Sequence, residues 1–138
     1  MNREIEFRGK RLDNNEWLHG DLMHDNQGGC YIYPLDAENL YTENKVAPDT
    51  VGQFTGLRDK HGVKIFEGDV VDVYDFTSVY ASKYRGVVKM YRGSWCVEYE
   101  DSILDMVAHP RLFFDDFADR KTEVIGNIHD NPELLATK

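Results

Sequence analysis

The run Thr55-Gly-Leu-Arg-Asp-Lys-His-Gly-Val-Lys-Ile-Phe-Glu-Gly-Asp-Val-Val-Asp-Val-Tyr74 constrains the fold more than any other stretch of the chain. Its glycines fall between short apolar or alternating runs, the places where a chain must turn. Arg58-Asp-Lys-His-Gly62 has the polar residues and the glycine of a hairpin turn, and Val63-Lys-Ile-Phe66 alternates as a half-buried strand does. Glu67-Gly68 breaks that run, and Asp69-Val-Val-Asp-Val-Tyr74 follows with β-branched residues that fix a strand. A glycine followed by such a run is common where a chain enters a strand of a small SH3-like barrel.

The rest of the sequence reads the same way. Glu4 to Arg8 and Trp17 to Met23 are strand-like runs separated by the turn Asp13-Asn-Asn15, with Gly20 marking a bulge or kink. Asn26-Gln-Gly-Gly29 is a turn before the short strand Cys30-Tyr-Ile-Tyr33, and residues 35–48 read as an acidic loop. Val51 to Phe54 is a further strand. Gly86-Val-Val-Lys-Met-Tyr91, the turn Arg92-Gly-Ser94 and Trp95-Cys-Val-Glu-Tyr99 predict the clearest hairpin. Between Asp101 and Asp119 the apolar residues fit neither period and Pro110 interrupts a helix, so a strand before it and a loop or helical turn after it are expected. Thr122 to Ile128 is a strand, and Asp130-Asn-Pro-Glu-Leu-Leu135 starts a short helix capped by Asp130 or Asn131. The expected fold is mainly β: small SH3-like, barrel-type β structure with hairpins and a short C-terminal helix. Residues 1–138 form one domain, which can comprise two lobes, 1–54 and 55–138.

A chain of 138 residues buries enough surface to need no staples. Cys30 and Cys96 belong to no CxxC pattern and read as free buried thiols of a reducing compartment. The charged start Met1-Asn-Arg-Glu-Ile has no apolar leader, and no run approaches the roughly 20 apolar residues that span a bilayer. The protein therefore reads as soluble and cytoplasmic, with no membrane partner. A formal net charge of −9 argues against coating nucleic acid with the whole surface. The charge is uneven, however. No acidic residue lies between Asp75 and Glu98, whereas Lys83, Arg85, Lys89 and Arg92 do, interleaved with Tyr80, Tyr84, Tyr91 and Trp95.

Several blocks together resemble a known family. The opening Arg-Glu-Ile-x-Phe-Arg, Trp17 with Gly20, the run from Thr50 through Val-Gly-Gln-Phe-Thr-Gly-Leu-x-Asp to Glu-Gly-Asp-Val-Val, and the close Glu-Val-Ile-Gly-Asn-Ile-x-Asp-Asn-Pro-Glu-Leu are similar to the YopX family of phage and prophage proteins. The resemblance implies a small, mainly β protein encoded by bacteriophages or prophages and acting in the bacterial cytoplasm. It brings no catalytic residues with it. Residues 78–117 hold none of the matching blocks, so the basic, aromatic island must be judged on its own chemistry.

His19, His24 and Cys30 lie close in sequence, with His61, His109 and His129 elsewhere, but none has zinc-like pair spacing, and His19 and His24 fall on opposite faces of one strand. Asp69, Asp72 and Asp75 alternate in facing, and with Asp115, Asp116 and Asp119 they read as solvated acids rather than a converging metal site. No phosphate loop, dinucleotide fingerprint or nucleophile elbow is present. Neither a metal, a cofactor nor an enzymatic activity is expected. The island Tyr80, Lys83, Tyr84, Arg85, Lys89, Tyr91, Arg92 and Trp95 is the candidate binding stretch, since stacking rings beside cations suit single-stranded nucleic acid. Alternation puts Lys89 and Tyr91 on one hairpin face and Val88, Met90 and Arg92 on the other, so the stretch is not expected to form a single surface. The leading expectation is a non-enzymatic accessory module that self-associates and binds a host or phage protein. Nucleic-acid binding is the alternative, and a metal-dependent hydrolase the third reading.

Overall fold

A computed structural model describes residues 3–34, 44–75, 82–99 and 122–136. Among them the protein is mainly β, with two antiparallel sheets and one short C-terminal helix. The chain divides into two compact units, Met1–Phe54 and Thr55–Lys138. The expected strand and helical turn between Asp101 and Asp119 lie outside the described residues.

The first unit holds β1 (Phe7–Lys10), β2 (Trp17–His24), β3 (Cys30–Tyr33), β4 (Lys45–Val46), a 3-10 turn (Pro48–Thr50) and the start of β5 (Gly52–Arg58). β1 pairs with β2, β2 with β3 and β3 with β4, with Phe7 opposite Gly20, Leu22 opposite Ile32 and Cys30 opposite Val46. The strands then close. Arg11 bridges Val46, the Leu12 N–H donates to the Lys45 carbonyl at 3.1 Å, and the Ala47 N–H donates to the Lys10 carbonyl at 2.8 Å. Inside lie Cys30, Ile32 and Val46, packed by Phe7, Leu18, Leu22 and Val51. Closure follows from the alternation, which sends these apolar side chains inward and removes the free edges that an open sheet would expose. Strand β4 falls within the segment that reads as a loop. With two residues it is too short to carry a period, and its pairing comes from neighbours far along the chain.

The second unit holds the end of β5, β6 (Lys64–Phe66), β7 (Asp69–Asp75), β8 (Ser82–Tyr91), β9 (Ser94–Tyr99), β10 (Thr122–Asn127) and α1 (Glu133–Ala136). Its sheet has the order β10-β7-β8-β9. One face packs Val71, Val73, Val88 and Val97 with Ile65 of β6, flanked by Leu57, Trp95 and Val124. Burying each such aliphatic side chain is worth about 1.5–3 kcal/mol. The predicted hairpin is present, but its loop is shorter than expected. Arg92 (φ 49°) and Gly93 (φ 81°) both take positive φ, the signature of a two-residue type I′ turn, and Ser94 already pairs with Tyr91.

Two buried carboxylates organise the block from Thr55 to Tyr74. Asp59 is 3% exposed. Its Oδ1 accepts the N–H groups of His61 (2.8 Å) and Val63 (2.9 Å), and its Oδ2 accepts the Val124 N–H of β10 (2.9 Å). Asp69 accepts the Phe66 N–H at 2.7 Å across the Glu67-Gly68 turn. Gly68 itself donates to the Val88 carbonyl and accepts from the Ile128 N–H, both at 2.9 Å. The closing block works similarly: Asn127 Oδ1 accepts the N–H groups of His129 and Asp130, and Asn131 Oδ1 accepts the Asn127 N–H at 3.3 Å. These polar side chains therefore serve the backbone, as short polar residues do in turns.

Candidate binding face

Register decides which side chains of the basic, aromatic stretch meet. On β8, Lys83 is opposite Tyr74, Arg85 opposite Asp72 and Val87 opposite Val70, while Lys89 is opposite Cys96 and Tyr91 opposite Ser94 on β9. Side chains alternate along a strand, so Lys83, Arg85, Lys89 and Tyr91 share one face. Tyr84 and Met90 lie on the other with the core residue Val88, and Trp95 packs against that core. Arg92 sits in the turn with its guanidinium 5.4 Å from the Tyr91 ring centre. Tyr80 lies outside the described residues. The stretch is thus split, but differently from what Arg92 alone would suggest: three of its cations line one surface.

Two further residues reach that surface from elsewhere. Glu123 of β10 is opposite Asp72, a like-charge pair that would repel if left alone. Cations flank it on both sides. Arg85 donates to Asp72 through Nε (2.8 Å) and an Nη (3.3 Å), with Lys83 Nζ 3.8 Å away. Lys60 Nζ lies 2.9 Å from Glu123, with His61 Nε2 at 3.5 Å. Lys60 also stands 4.4 Å over the Tyr74 ring. At the other side of β8, Lys89 pairs with Glu98. Lys60 and Tyr74 escape a reading of the sequence because the Arg58–Gly62 turn and the β7 register bring them in. The only local signal was the hairpin itself.

The ion pairs set the protonation. The Asp72 carboxylate holds the Arg85 guanidinium above its ordinary pKa by hydrogen bonding. Glu123, hydrogen-bonded by Lys60, is held below the ordinary glutamate value, and Lys60 correspondingly above the ordinary lysine value. In the first unit the Gly29 and Gln27 N–H groups lower the Asp25 pKa. A depressed carboxylate contributes stability that is present above its unfolded pKa and lost as pH falls through its folded one. Urea midpoints measured from neutral to acidic pH should therefore fall as pH drops through and below the usual carboxylate range, and Glu123→Gln should flatten part of that slope. Cys96, buried on the same face as Lys89, has its thiol pushed up by burial.

The other sequence candidates are dispersed. His19 Nδ1 lies 3.2 Å from Glu6, His61 faces Glu123, and Asp69 and Asp72 serve a turn and an arginine respectively. Among the described residues no three histidine, cysteine or acidic side chains converge as a metal site would require.

The sequence profile described as YopX protein matches residues 6–136. The chain belongs to the YopX family. The matched span includes the Asp59 clasp, the Gly68 turn and the Asn127–Asn131 turn. A crystal structure of protein EF1440 from Enterococcus faecalis is similar, with a TM-score of 0.55, 24% identity, and coverage of 96% of this chain and 98% of that one. That likeness concerns the fold. Comparison with curated proteins gives no match.

Proposed function

We propose that this YopX-family chain is a non-enzymatic phage or prophage accessory module of the bacterial cytoplasm, which self-associates and binds a host or phage macromolecule. The observation carrying this reading is the side of β8 that holds Tyr84 and Met90. They are 44% and 46% exposed, and β8 lies next to β9, the last strand in the sheet order. Large apolar side chains beside a sheet edge are the usual anchors for pairing with another chain. Asp59, Asp69 and Asn127 of the two family blocks support it further, since their oxygens are engaged with backbone N–H groups.

Sedimentation velocity over a wide concentration range tests the reading, with a second copy of this chain as the expected partner. Wild type should show concentration-dependent association, and Met90→Glu should weaken it by about tenfold or more, as loss of an interface anchor does. A wild type that stays monomeric at the highest concentration would overturn it. The second reading, nucleic-acid binding through the stretch from Tyr80 to Trp95, gains support from Lys83, Arg85, Lys89 and Tyr91 sharing the opposite face.

A further inference from the structure

The ion pairs on the β10-β7-β8-β9 face are asymmetric in depth. Lys83 is 52% exposed and Arg85 34%, while the Asp72 they share is 4% exposed. Lys89 is 54% exposed against 37% for Glu98. Lys60 and His61 are 32% and 62% exposed over a Glu123 that is 29% exposed. In the Asp72 and Glu98 pairs the cation is the outer partner, whereas Lys60 and Glu123 are about equally exposed. The first unit is mixed: Arg11 and Asp13 are 22% and 54% exposed, the reverse arrangement, while His19 and Glu6 are 47% and 16% exposed.

Depth matters because Coulomb energy falls with distance and water screens what lies further from a ligand. An approaching anion meets ammonium and guanidinium groups first and carboxylates second. A chain with a net charge of −9 thereby presents one positive layer. Lys83 and Lys89, six positions apart on β8, are spaced by about 20 Å along the strand. Arg85 lies between them, and Lys60 stands on the β10 side over Tyr74. Tyr91 with Arg92 continues the row to the hairpin turn. The cations fall in two groups, Lys60, Lys83 and Arg85 beside Tyr74 and Lys89 beside Tyr91, with the buried Val70 and Val87 of the same face between them; cations beside rings match a polymer that repeats one negative charge and one planar ring per unit.

We propose that this face binds single-stranded nucleic acid, with Lys60 and Lys83 on phosphates at one end of the face, Lys89 on a phosphate about 20 Å further along the same strand, and the Tyr74 and Tyr91 rings beside the bases. The proposal deepens the second reading above and narrows it: Tyr84 and Trp95 drop out of the site, and Lys60 and Tyr74 enter it. A duplex, whose base faces are hidden, offers nothing to the rings.

The test is fluorescence anisotropy with labelled single-stranded DNA, the same sequence as single-stranded RNA, and the DNA duplex, titrated at several salt concentrations. Wild type should bind one or both single strands at low salt, more tightly than the duplex. The slope of log affinity against log salt should be about −2, as three phosphate contacts on a single strand give. Lys60→Gln, Lys83→Gln and Lys89→Gln should each weaken binding and flatten that slope by about 0.7. All three are surface lysines, and circular dichroism checks that each variant is folded. Absence of binding to either single strand at low salt overturns both this proposal and the second reading. Binding that Lys83→Gln weakens but Lys60→Gln does not overturns the proposed face and leaves the second reading standing. Duplex binding as tight as single-strand binding overturns the assignment to single strands.

Discussion

Replacing Asp59 by alanine should cost about 3–5 kcal/mol, read as a lower urea midpoint with an unchanged slope. The carboxylate is buried and accepts three backbone N–H groups, from His61, Val63 and Val124. Truncation leaves all three donors without their acceptor, and each hydrogen bond to a charged group is worth about 1.5–3 kcal/mol, less than additively. Against a total of about 5–15 kcal/mol for a domain, this is a large share. Asp59→Asn separates the two ends of the carboxylate. Its carbonyl oxygen can still serve His61 and Val63, but the amide then points an N–H at the Val124 N–H, so the variant should fall between wild type and alanine. A midpoint for Asp59→Ala within experimental error of wild type would refute the clasp.

Gly20→Ala should damage the first unit comparably, by about 3 kcal/mol or more. A Cβ at this position would sit 2.1 Å from the Tyr33 carbonyl oxygen and 2.8 Å from Pro34 Cα, both backbone atoms, at φ +155°. Relief requires β2 and β3 to separate where Asp21 faces Tyr33. Hydrogen exchange of the Asp21 to Tyr33 pairing should accelerate with the loss of stability. Gly28→Ala is the control. It also has positive φ, +86°, but nothing lies within 4 Å of its added Cβ, so only the backbone term of about 1–2 kcal/mol applies. Equal losses at the two positions would show that conformation, not close approach, explains Gly20.

What the residues disclosed in advance follows the range of the forces involved. The hairpin of β8 and β9 was legible because alternation and a glycine turn are local. Its loop length was not, because it depends on Arg92 adopting φ 49°, a conformation uncommon outside glycine and asparagine. Asp59 read as an ordinary turn residue, since the partner that makes it a clasp, Val124, lies 65 positions away. The candidate face shows the same division. Lys89 and Tyr91 were assigned to one side correctly from spacing alone, whereas Lys60, Tyr74 and Glu123 join them only through the pairing of β10 with β7. Charge along the sequence showed where cations cluster, but not that the acids lie beneath them.

The Asp59 to Val124 hydrogen bond also imposes an order on folding. The first unit closes by pairing Phe7 with Gln53 and by the hydrogen bond from the Phe54 N–H to the Glu6 carbonyl, both within its own residues. The second needs β10 both to fill Asp59 and, through Ile128, to engage Gly68. A chain emerging from the ribosome can therefore complete its first unit while residues 122–128 are still unmade. Until they arrive, Asp59, one edge of β7 and the apolar side of Val71 and Val73 stay incompletely covered. Wide loop closure is slow, and exposed strands are vulnerable to mispairing while it proceeds. Docking of β10 is thus the step at which the second unit covers Asp59, Val71 and Val73, and it comes after the first unit can already have closed.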